Sequence, residues 1–160
     1  MKVLAVDPGL ASTGWALVDG MKYLASGTIT TKPGASVAFR SCDIVDDLRD
    51  ATYQYRQGEE IKLVVEYPEV AYLGKAFKGV MENFYVSGFI AGRLSSGYGI
   101  GWVATVTPPT WCKGYKGRMG ERMESARNMA VKAFKVTKRT SEHERDALGI
   151  GLWAVTGGIK

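Results

Sequence analysis

The sequence predicts an α/β fold: one five-stranded mixed sheet whose first three strands run antiparallel, with helices on both faces. Three observations predict it. The chain opens with three strand-like runs and no helical pattern between them; helical periodicity then alternates with two further strand-like runs; and the last quarter is helical. A chain of 160 residues, 46% hydrophobic and 11% aromatic, can bury one proper core, so a single domain over 1–160 is expected.

Residues 2–7 read as a buried strand that stops at Pro8-Gly9, and Thr13 to Val18 as a second one. Asp19-Gly20 marks a tight hairpin into a third strand, Tyr23 to Thr30. From Ala35 to Gln57, apolar Val37, Ile44, Val45, Leu48 and Tyr55 recur at helical spacing while aspartates fill other faces, and Gly58 closes the helix. The β-branched run Ile61 to Val65 suits a central parallel strand and puts Glu66 at its carboxyl end. A glycine-containing helix over Leu73–Ser96 and a strand over Ile100–Val106 follow. Pro108-Pro109 breaks the pattern, a basic glycine-punctuated loop follows, and helices over Glu121–Lys135 and from Glu142 to about Ala154 complete the order. Three strands, helix, strand, helix, strand, helix, helix is the ribonuclease H-like arrangement.

Charge is unevenly placed. Residues 105 to 145 hold ten Lys/Arg against four Asp/Glu, or +6, and the rest hold eleven against twelve, or −1. A basic segment beside a neutral body is the footprint of a protein that neutralises phosphates, although a solvated lysine-rich face has the same composition. No apolar stretch reaches the ~20 residues of a membrane span. The run after Met1 is too short for a signal peptide, so a cytoplasmic protein is expected. Cys42 and Cys112 match no zinc spacing and are expected as reduced, buried thiols.

Asp7 and Glu66 end two buried strands that a single sheet could bring together, and His143 with Asp146 opens the last helix. Residues 143 and 146 are one turn apart and share a helix face. Carboxylates gathered this way suit divalent cations in phosphodiester hydrolysis: Asp7 bridging two ions, Glu66 and Asp146 each holding one side, His143 ligating or taking a proton. Taken singly, each has a plainer reading. Asp-Pro-Gly is a common turn, Glu66 could pair with a lysine, and His143 could cap its helix. Glu142 lies one turn from Asp146 and is the better auxiliary acid, Glu144 pointing elsewhere; at a helix start both fit a dipole-capping role. Trp111 reads as a core anchor.

The motifs Asp7-Pro8-Gly9, Thr13-Gly14-Trp15-Ala16, Val64-Val65-Glu66 and His143-Glu144-Arg145-Asp146-Ala147-Leu148-Gly149-Ile150 resemble, in order and interval, those of RuvC-type Holliday junction resolvases. That resemblance spans the chain. It implies a crossover junction endodeoxyribonuclease of the ribonuclease H-like superfamily that nicks opposing strands of a four-way DNA junction by two-metal hydrolysis, leaving 5′-phosphate and 3′-hydroxyl. It also implies a homodimer and two Mg2+ per site. His143 favours softer ions than carboxylates do, so Mn2+ is expected to substitute. The resemblance places DNA contacts on the loop carrying Lys113, Lys116 and Arg118, with Lys75 and Lys78 as second choices. Glu69 stands where the family commonly has an aromatic that wedges into the junction, and Tyr67 or Tyr72 is the replacement available. The helix over Leu73–Ser96, with Phe84, Tyr85, Phe89 and Ile90, is the candidate dimer interface, core packing being the competing account.

Other readings stay open at this point: a broader nuclease of branched DNA, flaps or RNA–DNA hybrids, and a non-cleaving DNA-binding module. An actin-type ATP-binding domain shares the opening motif but needs a second, duplicated domain. A small resolvase without a long basic tail suits a bacteriophage as well as a bacterium. No residue specifies a branch-migration helicase partner.

Overall fold

The structure, a computed structural model, describes residues 1–56, 60–68, 77–96, 100 and 102–159. The strands are β1 (Lys2–Asp7), β2 (Ser12–Asp19), β3 (Lys22–Thr30), β4 (Ile61–Glu66) and β5 (Trp102–Val106). The helices are α1 (Val37–Thr52), α2 (Phe77–Ser95), α3 (Pro108–Trp111), α4 (Met119–Ala133) and α5 (Glu142–Trp153). The sheet order is β3-β2-β1-β4-β5. β1 is antiparallel to β2 and parallel to β4, and β5 runs parallel to β4. The expected five-stranded mixed sheet is therefore present.

Alternation along β1 shows why the sheet is covered on both sides. Val3 and Ala5 join Ala16, Val18, Val64, Trp111, Ala130, Leu148 and Ile150 in one core. Leu4 and Val6 point the other way, into a second core with Leu17, Ile44, Leu48, Leu63, Val86 and Ile90. The first core lies under α3, α4 and α5, the second under α1 and α2. No helix among the described residues is long and apolar enough to cross a membrane.

Local chemistry moves several boundaries. Ser36 caps α1, its hydroxyl accepting from the Phe39 amide at 3.3 Å. Past Thr52 that helix tightens into a short 3-10 turn, Tyr53–Tyr55, rather than running on; Gly58, the expected stop, lies outside the described residues. Pro108-Pro109 starts the one-turn helix α3 instead of only breaking a pattern, because proline suits the first helical turn. α4 begins two residues early, where the Glu121 carboxylate accepts the Arg118 amide at 2.8 Å. The thiol expectation is half right: Cys112 is buried, but Cys42 is exposed. It falls between the inward positions Ser41 and Ile44 of α1, on the aspartate-bearing outer face.

Candidate metal centre

Parallel pairing of β1 with β4 aligns Val6 with Val65 and so brings Asp7 and Glu66 to one edge of the sheet. The Asp-Pro-Gly turn after β1 is pinned by Thr13, whose hydroxyl donates to the Gly9 carbonyl at 2.8 Å and accepts from the Gly9 amide at 3.3 Å. Gly14 pairs with Asp7 across the sheet. A Cβ on Gly14 would lie 2.0 Å from the His143 carbonyl oxygen, so the missing side chain is what lets the first turn of α5 settle against β2 beside Asp7. The threonine and glycine of the second motif thus shape the site without entering it.

Ser141 caps α5, its hydroxyl accepting from the Glu144 amide at 3.1 Å. His143 then meets Asp7, with Nδ1 2.6 Å from Oδ2. That hydrogen bond to a carboxylate raises the imidazole above its ordinary value, against the effect of burial. One turn on, Asp146 is 6% exposed. Ligand atoms of Asp7, His143 and Asp146 all lie within 4.8 Å of one another. Glu66 stands outside that compact set, its Oε2 accepting the Trp111 indole N–H at 2.6 Å. Burial and the neighbouring Asp7 carboxylate push Glu66 up to about 8, opposed by the Trp111 hydrogen bond.

Arg127, which sequence reading did not single out, is a main partner of the site. Its Nε and Nη2 grip the two oxygens of Asp146 at 2.6 and 2.8 Å. It also pairs with Glu142 at 2.9 Å and with Glu124 at 3.4 Å. Burial raises Asp146, and the guanidinium works against that rise. The sequence signal was an arginine among the inward positions Met123, Ala126 and Ala130 of α4, where an unpaired cation would not be stable. Glu142 is therefore tied to Arg127. Glu144, beyond its place in the helix's first turn, is buried and bound by Lys138 at 2.6 Å and the Ser26 hydroxyl at 2.5 Å.

Trp111 is the core anchor expected, 2% exposed, and its ring lies so close to Gly149 that a Cβ there would sit 2.8 Å from it. Its hydrogen bond to Glu66 was not foreseen, because the two are 45 positions apart. Lys113, Lys116 and Arg118 are all exposed on the loop that Trp111 roots beside the site. Arg122 braces that loop from α4, donating to the carbonyls of Pro109 and Cys112, each at 3.3 Å. Lys78 is 92% exposed and 3.9 Å from Glu82. Glu69, Tyr72 and Lys75 lie outside the described residues.

The residues present fit divalent cations. Two buried carboxylates, Asp7 and Asp146, converge with the His143 imidazole, and a third carboxylate, Glu66, stands beside them with its value raised by burial and by Asp7, while Arg127 offsets Asp146. The five-stranded sheet has the ribonuclease H-like strand order, with a carboxylate-rich edge. Comparison with known proteins narrows the likeness to RuvC. The solved structure of Thermus thermophilus RuvC in complex with a Holliday junction substrate superposes with a TM-score of 0.71 at 19% identity, covering 100% of this chain and 98% of that one. Another T. thermophilus RuvC structure gives 0.69 at 17%. By sequence, the crossover junction endodeoxyribonuclease RuvC of Rhizobium rhizogenes is 33% identical over 63 residues, 37% of each chain. That of Bordetella avium is 40% identical over 60 residues, 35% of this chain and 33% of its own. The sequence matches thus span about a third of those relatives' length, while the RuvC-type fold extends through the whole chain. No family model matches.

Proposed function

We propose that this chain is a single-domain, metal-dependent endonuclease that resolves four-way DNA junctions by paired symmetric nicks. The observation that carries the reading is the convergence of Asp7, His143 and Asp146 within 4.8 Å, beside the Glu66 strand end, in a RuvC-type fold. Asp7, Glu66, Asp146 and His143 would hold the cations, two Mg2+ per site with Mn2+ able to replace them. Cations held there would supply Lewis acidity for an attacking water and for the departing 3′ oxygen, which would leave 5′-phosphate and 3′-hydroxyl ends.

The chain's own residues prepare that chemistry. Arg127 fixes the plane of Asp146, and the two-point grip uses only part of the carboxylate's acceptor capacity, so its remaining lone pairs stay available. Trp111 occupies one oxygen of Glu66 and aims the other. Because burial and the Asp7 carboxylate raise Glu66, positive charge held at the site would favour its ionised form, so ion binding would be coupled to loss of the Glu66 proton. Lys113, Lys116, Arg118 and Lys78 supply phosphate contacts, with Lys75 and Tyr72 as further candidates. Two-fold symmetry of a junction calls for two sites in one symmetric homodimer. On α2, Met81 and Tyr85 are 48% and 47% exposed, which supports that helix as the interface, whereas Ile90 is wholly buried in the core.

The test is cleavage of a labelled synthetic four-way junction beside duplex, fork and flap controls, with Mg2+, Mn2+ or chelator. Symmetric nicks in the junction alone are expected. Equal cutting of forks and flaps would instead mean a general branched-DNA nuclease, and binding without cutting a DNA-binding module. Asp7→Asn should abolish cutting while junction binding persists; an Asp7→Asn protein that cuts normally removes the site assignment.

A further inference from the structure

Beside the metal centre lies a cavity of about 460 Å³, bounded by the β1–β2 turn, α1 and α2, which the mechanism above does not use. Its lining includes Gly9, Leu10, Arg40, Val80, Asn83 and His143. Gly9 is two residues from Asp7, and His143, which lines the cavity, is hydrogen-bonded to Asp7, so the cavity adjoins the cluster. Its size is within the ~300–1,000 Å³ of small-ligand sites.

Its two walls differ in chemistry. Arg40, from α1, is fixed in place: Nε donates to the Thr31 hydroxyl at 2.7 Å and Nη2 to the Leu10 carbonyl at 3.1 Å. Its Nη1 has no partner among the described residues and is held ready for an anion, with little rotamer entropy left to lose. On α2, the Asn83 side chain is half-buried and its amide makes no hydrogen bond among the described residues. Glu82, adjacent on the same wall, offers carboxylate acceptors, with Lys78 only loosely paired to it at 3.9 Å. Leu10 and Val80 supply apolar surface between the walls. A cation at one side, an amide and a carboxylate at the other and apolar surface between them match the phosphate, base edge and base face of one nucleotide.

We propose that this cavity takes one nucleotide of the strand that flanks the scissile phosphodiester, with Arg40 at its phosphate and Asn83 and Glu82 at its base. The acceptor-only Glu82 carboxylate, with the Asn83 amide able to accept or donate beside it, favours a base with an exocyclic amino group (adenine, cytosine or guanine) over thymine. The subsite rests on the nuclease reading, since it makes the cavity part of the DNA path.

Two measurements on the full chain separate the claims. The first titrates a 5′-phosphorylated deoxydinucleotide into labelled protein in chelator, following backbone amides by NMR. Shifts are expected at Gly9–Ser12 and Val80–Asn83, with affinity weakened several-fold by Asn83→Ala and by Arg40→Lys, which retains charge but removes the fork. The second maps cuts on junctions randomised at the nucleotides beside the nick. Amino-bearing bases should be favoured at one of those positions by on the order of ten-fold, and Asn83→Ala should flatten that preference. If DNA is cut but the base profile of Asn83→Ala matches that of the wild type, the subsite is wrong and the nuclease reading survives. If no DNA is cut with either metal while the dinucleotide still moves the cavity amides in an Asn83-dependent way, the nuclease reading fails and the nucleotide site stands. Cavity amides that do not respond to the dinucleotide overturn the subsite in either case.

Discussion

Replacing Glu66 with glutamine should stabilise the metal-free protein in alkaline solution. Glu66 is pushed from an ordinary 4.5 to about 8, first by burial and then by Asp7. An acid whose folded value is raised binds its proton more tightly when folded. Its contribution to stability is therefore present at low pH and is lost as pH rises from about 4.5 through about 8. At about 1.4 kcal/mol per pH unit, the loss has an upper limit of roughly 5 kcal/mol, reduced where water reaches the carboxylate and the site relaxes. Glutamine keeps an oxygen for the Trp111 N–H and carries no charge. With about 2 kcal/mol recovered and about 2–4 °C per kcal/mol at this size, the Glu66→Gln melting temperature should exceed that of the wild type by about 4–8 °C near pH 9 in chelator. Near pH 5 the two should coincide. Saturating Mg2+ or Mn2+ should raise the wild-type melting temperature and leave Glu66→Gln nearly unmoved, because binding to the folded state alone stabilises by mass action. The assay is differential scanning calorimetry across that pH range. A difference between the two proteins that does not grow with pH refutes the account of Glu66.

Arg127→Met strips Asp146 of its partner and should cost about 3–5 kcal/mol, whereas the double change with Asp146→Leu should recover much of it, as read by chemical denaturation. Gly14→Ala drives a methyl into the His143 carbonyl and should cost about 2 kcal/mol or more. Because His143 is the sole histidine, its NMR titration should also fall back toward the ordinary value as the Asp7 hydrogen bond is lost. Lys113→Ala with Lys116→Ala should reduce the salt slope of junction binding by about 1.8 while leaving stability unchanged; an unaltered slope rejects the loop.

The resemblance first read from short motifs agrees with the curated relatives and the shared fold, and the physical basis is that these motifs encode local structure. Asp7 and Glu66 were legible because each ends an apolar run, and a strand's carboxyl end is a position that sequence periodicity fixes. His143 and Asp146 were legible because a spacing of three residues puts two side chains on one helix face. The element order follows from the same local patterns, and the β-branched run of β4 was legible as a central parallel strand, which the structure pairs with β1.

Partners brought together across the fold left no such mark. Arg127 meets Asp146 only because α4 packs on α5, and Trp111 meets Glu66 only because α3 folds back under the sheet edge. Gly14 was legible as part of the Thr13-Gly14-Trp15-Ala16 motif, but the reason for it appears only where α5 lies against it. Cys42 misled because hydrophobicity alone assigned it inward, while the phase of α1 turned it out. The sequence by itself determined which acids stand at the ends of which elements, since that depends on backbone periodicity and steric rules acting over a few residues. Only the tertiary structure decided how those acids are charged, aimed and braced, because desolvation and ion pairing depend on neighbours that are distant in the chain.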